Sequence, residues 1–133
     1  MQQFSMSEEE AEQLATYLRE ITLYTDLETL AVVTKAGRRV AFSSIKGVDI
    51  DPDLLSAISA VLLQTGQEAV TKLNFNPLYE LIIRGEKGII VVTDAGPLVL
   101  IGAGVKIETL GHTVSVFRHF GQEIATLFAK GDH

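Results

Sequence analysis

Leu14, Leu18 and Ile21 recur at the spacing of a helical turn and predict one apolar stripe on a first helix. Ser7-Glu8-Glu9-Glu10 has the form of a capping box, with a serine hydroxyl and a carboxylate three residues on satisfying free N–H groups. Its acidic run also complements the helix dipole. From Leu27 the period changes. Leu27 to Lys35 predicts a strand that is apolar through Leu30, Ala31, Val32 and Val33. Arg39 to Ser44 predicts a second, joined to it by an Ala36-Gly37 turn in which glycine supplies the positive φ. This second strand alternates, with Val40 and Phe42 against Arg39, Ala41 and Ser43, as a partly exposed edge strand does.

Asp51-Pro52-Asp53 opens a long helix running to about Leu73, with aspartate as N-cap and proline at the first helical position. On a helical wheel Leu54, Leu55, Ile58, Val61, Leu62, Thr65, Ala69 and Leu73 take one side, extended by Leu63, Gly66 and Val70. Ser56, Gln64, Gln67, Glu68 and Thr71 take the rest. The apolar arc covers roughly half the circumference, wider than the ~100° that one sheet contact requires. The helix therefore meets a second surface or is deeply buried.

Three apolar strands follow: Leu78 to Arg84, Ile89 to Thr93 and Leu98 to Ile101. Their joints, Gly85-Glu86-Lys87-Gly88 and Asp94-Ala95-Gly96-Pro97, are too short for a parallel crossover, so the strands are antiparallel neighbours. A half-wet antiparallel sheet alternates, and these strands do not, which predicts cover on both faces. A last helix from about Thr109 to Ala129 carries Leu110, Val114, Phe117, Ile124 and Phe128 on one face, with Gly121 allowing close approach. The order α-β-β-α-β-β-β-α predicts an α/β/α sandwich, a five-stranded antiparallel sheet between helices. One domain over 7–130 is expected, with loose ends at 1–6 and 131–133.

Composition narrows the function. A chain of 133 residues is one domain by size, and with 47% hydrophobic residues it can bury a core unaided. A mean hydropathy of +0.25 is apolar enough to suggest a covered patch on its surface. A net charge of −6, with basic residues scattered at Arg38, Arg39, Arg84 and Lys87, argues against nucleic acid, which needs a basic stripe. There is no cysteine for a disulfide, a thiolate metal site or a thiol nucleophile. The longest near-apolar run, Pro97 to Val105, is too short to span a bilayer, so no membrane insertion is expected. Met1-Gln2-Gln3 lacks the basic start of a signal peptide, and a cytoplasmic location is expected.

No credible catalytic set emerges, and neither a metal nor a cofactor is expected. Asp49, Asp51 and Asp53 have the alternate spacing that opens a calcium loop, but Leu54 and Ala60 stand where its glycine and closing glutamate belong. His112, His119 and Glu123 share a face of the last helix opposite its apolar stripe and read as solvated. Gly102-Ala103-Gly104-Val105-Lys106 lacks the Gly-Lys-Ser/Thr ending of a phosphate loop and reads as a strand-to-helix connection. Tyr79 reads as core or interface.

Several stretches together resemble the roadblock (dynein light chain) domain family. They are Leu30-Ala31-Val32-Val33-Thr34-Lys35-Ala36-Gly37 before a strand ending in Ser43-Ser44, and Leu54-Leu55-Ser56-Ala57-Ile58-Ser59-Ala60-Val61-Leu62 in the long helix. Glu80-Leu81-Ile82-Ile83-Arg84-Gly85-Glu86-Lys87-Gly88 and Leu110-Gly111 complete the series. The likeness covers roughly Leu27 to Leu127. Ala36 departs from it, since the family often has an acidic residue before that glycine, and the Thr93 to Leu98 segment is a bare short turn.

The resemblance implies a roadblock/profilin-like fold and a dimer, formed with itself or another roadblock chain. The implied contact residues are Leu54, Ala57, Ile58, Val61, Leu62 and Thr65 on the long helix and Leu78, Glu80, Ile82 and Arg84 on the strand after it. It also implies a non-catalytic scaffold or regulator of a small Ras-like GTPase, which in related bacterial motility proteins acts without donating an arginine finger. The alternatives are a small-molecule sensory module of profilin-like or PAS-like architecture, and a subunit of a motor or signalling complex without GTPase contact.

Overall fold

The computed structural model describes residues 4–45, 47–105 and 109–129. The expected loose end at 131–133, the start of the one at 1–6, and Lys106 of the glycine-rich segment lie outside the described residues. The elements follow the expected order: α1 (Glu8–Tyr24), β1 (Thr29–Thr34), β2 (Arg39–Ser44), α2 (Pro52–Lys72), β3 (Glu80–Gly85), β4 (Gly88–Ala95), β5 (Leu98–Gly104) and α3 (Leu110–Leu127). The five strands form one antiparallel sheet in the order β2-β1-β5-β4-β3. β2 and β3 are therefore its two edges.

Local chemistry sets most boundaries. The Ser7 hydroxyl accepts from the Glu10 N–H at 3.1 Å while the Ser7 N–H donates to the Glu10 carboxylate at 2.9 Å, which closes the capping box. Asp51 accepts from the Asp53 and Leu54 N–H groups at the start of α2. Gly37 turns the first hairpin at φ 90°. The later hairpins are tighter than the sequence suggested. Gly85 pairs with Gly88 and Ala95 with Leu98, so only Glu86-Lys87 and Gly96-Pro97 lie outside the ladders.

The sheet is covered on both faces. α1 and α3 lie on one, where Leu14, Leu18, Ile21, Phe117, Phe120 and Ile124 pack on Leu30, Val32, Val91, Leu98 and Leu100. Phe4 and Met6, from the segment expected to be loose, join this side, and Phe4 meets Phe128 edge-on at 5.3 Å. α2 covers the other face, with Leu55 and Leu63 on Ala31, Val33, Val92, Val99 and Ile101. This explains why β1 and β5 are apolar without alternation.

Two expectations are corrected. Gly102, Ala103 and Gly104 belong to β5 rather than to a connection, because Gly102 pairs with Leu30 and Val91 across two ladders. The buried side of α2 is also not the stripe drawn on the wheel. It consists of Leu55, Ser56, Ser59, Ala60 and Leu63. The small residues let the helix lie close to the first hairpin, and a Cβ on Gly37 would be 3.6 Å from both Ala57 Cα and Ala60 Cβ. The Ser56 hydroxyl donates to the Pro52 carbonyl at 2.6 Å, so its burial leaves no loose donor.

Candidate interaction surface

Turning the small side of α2 inward turns its large side out. Leu54 is 59% exposed, Ile58 45% and Val61 63%. They stand at i, i+4 and i+7, one row along the helix. Ala57 and Thr65 are exposed beside them, and Leu62 is half-buried. Fully covering an aliphatic side chain of this size is worth about 1.5–3 kcal/mol. A helix layer that leaves three of them in water is open to a further partner.

β3 borders this row as a sheet edge, and among the described residues no strand lies beyond it. Its side chains divide between the two faces. Leu81 sits over α2's side of the sheet, next to Leu78, and both approach Gly66, where a Cβ would lie 2.9 Å from Leu81 Cδ1 and 3.3 Å from Leu78 Cδ2. Glu80, Ile82 and Arg84 pair with Thr93, Val91 and Ile89 and face the α3 side. The interface residues expected from the sequence therefore fall into two groups. Leu54, Ala57, Ile58, Val61, Leu62, Thr65 and Leu78 belong to the α2 side, and Glu80, Ile82 and Arg84 to the opposite one. What joins them is the free edge of β3, which both groups flank.

Electrostatics pins that edge on the α3 side. Arg118 donates to one Glu80 carboxylate oxygen from Nη2 at 2.7 Å and from Nε at 3.2 Å. The guanidinium carbon lies 4.8 Å from the Tyr79 ring centroid. The hydrogen bond to Glu80, and then its charge, hold the Arg118 pKa above its ordinary value. Tyr79 is thus an exposed platform for a cation and not a core residue. Ile82 stands between Glu80 and Arg84, 39% exposed. An uncovered apolar residue at the centre of an edge strand is what a soluble protein avoids unless the edge is paired.

Sequence periodicity missed two features. Phe75 protrudes just past the end of α2, beside Leu73, the last residue of the stripe that a helical wheel displays. A cleft of about 410 Å³ opens on α2's side of the sheet, walled by Val48, Ile50, Leu55, Ile83, Ile90 and Ala103. These wall residues come from separate segments of the chain, so no spacing along it could show them together. Among the described residues no group of three or more His, Cys, Asp or Glu is placed to hold a metal ion. His119 and Glu123 approach to 3.8 Å on the exposed face of α3, as a solvated pair. Among the described residues no helix is long and apolar enough to cross a membrane.

Comparison with known proteins agrees with this geometry. The Roadblock/LC7 domain model matches residues 13–103. The gliding protein MglB from Thermus thermophilus superposes with a TM-score of 0.86 at 16% identity, over 98% of this chain and 99% of that one. Myxococcus xanthus MglB gives 0.80 at 18% identity, over 95% of each chain. A Roadblock/LC7 domain from Streptomyces avermitilis gives 0.71 at 12% identity, over 84% of this chain and 94% of the other. At such identities the likeness establishes a common fold. No curated protein sequence matches the chain.

Proposed function

The chain belongs to the Roadblock/LC7 domain family, and on that premise we propose that it is a non-catalytic homodimeric platform that binds and regulates a small Ras-like GTPase. The single observation that carries the dimer is the unpaired β3 edge, apolar at Ile82, beside the uncovered Leu54-Ile58-Val61 row of α2. Pairing two β3 strands antiparallel about a two-fold axis joins the two five-stranded sheets into one, and the same axis brings the two α2 rows together. Leu54, Ala57, Ile58, Val61, Leu62, Thr65 and Leu78 then form the helix-layer contact. Glu80, Ile82 and Arg84 form the contact on the opposite face.

The GTPase assignment rests on family membership. A platform acts by holding its partner and needs no active site of its own. Two measurements test the reading. Light scattering at micromolar concentration should report twice the 14.5 kDa chain mass, and a species of the chain mass alone contradicts the dimer. Affinity capture from the native cell, with GDP or a non-hydrolysable GTP analogue present, should retain a guanine-nucleotide-binding protein whose recovery depends on the nucleotide. Recovery that ignores the nucleotide, or a partner that binds none, contradicts the regulatory role.

A further inference from the structure

The apolar cleft and the protruding apolar residues lie at opposite ends of β3. α2 crosses the sheet obliquely. Near its start Ala57 and Ala60 pack on the hairpin at Gly37, and further on Gly66 packs on Leu78 and Leu81 at the beginning of β3. This leaves bare the end of the same face where Ile83, Ile90 and Ala103 come together, and that bare end is the cleft. Leu73 and Phe75 stand at the other end, 61% and 68% exposed. Phe75 is not on a loose loop. Its N–H donates to the Val70 carbonyl at 2.7 Å, Asn74 adopts φ 59°, and the Thr71 hydroxyl donates to Asn76 Oδ1 at 3.0 Å. The aromatic ring is therefore presented from the end of α2 on a backbone wrapped against that helix.

A chain cannot place this knob in its own cleft. β3 separates them, and its 6 residues span about 20 Å. A second copy can. Antiparallel pairing of two β3 strands centred on Ile82 or Ile83 sets the start of β3 in one copy, with the segment from Phe75 that leads into it, toward the end of β3 and its Glu86-Lys87 turn in the other. The helix end that carries Phe75 lies on the same face as the cleft. The two-fold axis then repeats the contact, knob to socket, at both ends of the joint.

We propose that the cleft is the socket for Phe75 of a second copy, flanked by Leu73, and that this reciprocal insertion selects the partner chain. The inference rests on the homodimer proposed above and adds a contact outside its expected residues. Continuity with the β3 edge favours another copy over a small ligand, as does the match between an apolar socket and an apolar knob of the same chain.

The test uses the full chain, which has no native cysteine. Phe75→Ala should raise the dimer dissociation constant by at least about 30-fold in sedimentation equilibrium, since each dimer loses two such contacts and loss of one interface hot spot already has that effect. Its far-UV circular dichroism should be unchanged, because the ring is exposed in the single chain. Separately, Phe75→Cys and Lys87→Cys chains, mixed at a concentration well above the raised dissociation constant and treated with a short bismaleimide, should cross-link to each other, while neither does so alone. A wild-type protein that is monomeric overturns the dimer and the socket together. A wild-type dimer that loses nothing in Phe75→Ala, or that gives no cross-link in the mixture, overturns the socket alone and leaves the dimer standing.

Discussion

Phe117 occupies the space that a side chain at Gly102 would need: a Cβ there would lie 2.9 Å from Phe117 Cζ and 2.7 Å from Leu27 Cδ1. Phe117 is itself fully buried between α3 and the sheet. Such distances are closer than real carbon contacts, and the ring has packed neighbours on its other sides. Gly102→Val should therefore destabilise the fold by about 1–3 kcal/mol through overpacking, measured by chemical denaturation. An unchanged denaturation midpoint would show that Phe117 can withdraw.

Ile82→Asp should separate dimerisation from folding. Ile82 is partly exposed in the single chain, so the charge can reach water there, but in a paired β3 edge it would be buried without a partner. The expected product is a folded monomer, with native circular dichroism and the scattering mass of one chain. Val61→Glu, on the outer row of α2, should weaken association in the same assay. A variant that unfolds instead would place Ile82 in the monomer core.

Ser59 offers a gain. It is fully buried on the inner side of α2, and among the described residues its hydroxyl has no hydrogen-bond partner. Ser59→Ala removes that unmet demand and improves helix propensity. Stability should rise by about 1 kcal/mol in urea denaturation. A loss of stability would mean that the hydroxyl is satisfied in solution.

Alkaline stability should depend on Tyr17. Burial, and then the charge of Glu123, raise its phenol pKa, and its Oη lies 3.5 Å from Glu123 Oε2. The native state thus holds this proton more tightly than the unfolded chain does. The contribution is complete below the ordinary value of about 10 and disappears as pH rises through the raised folded value. Tyr17→Phe should flatten the fall in stability above about pH 10, read as unfolding midpoints on either side of that value. An identical alkaline slope in both proteins would assign the fall to other groups.

The capping box at Ser7, the Asp51-Pro52 helix start and the Gly37 turn were legible because each is a contact between near neighbours. The double cover of the sheet was legible because β1 and β5 lack alternation. The faces of α2 were not. Leu54 and Leu55 are equally apolar, and only the approach of the Gly37 hairpin decides that the serines and alanines turn inward. β3 shows the same limit, since its period of two separates Ile82 from Leu81 but does not say which face α2 will take.

By itself, then, the chain's pattern determined the order of elements, the antiparallel hairpins and the family, all of which rest on local sterics and on hydrophobic period. Tertiary structure decided which large side chains stay in water, where α2 leaves the sheet bare, and that Phe75 and the Ile83–Ile90 cleft lie at opposite ends of one open edge. Those relations join residues distant in sequence through the packing of a helix across a sheet, and no local period encodes that crossing.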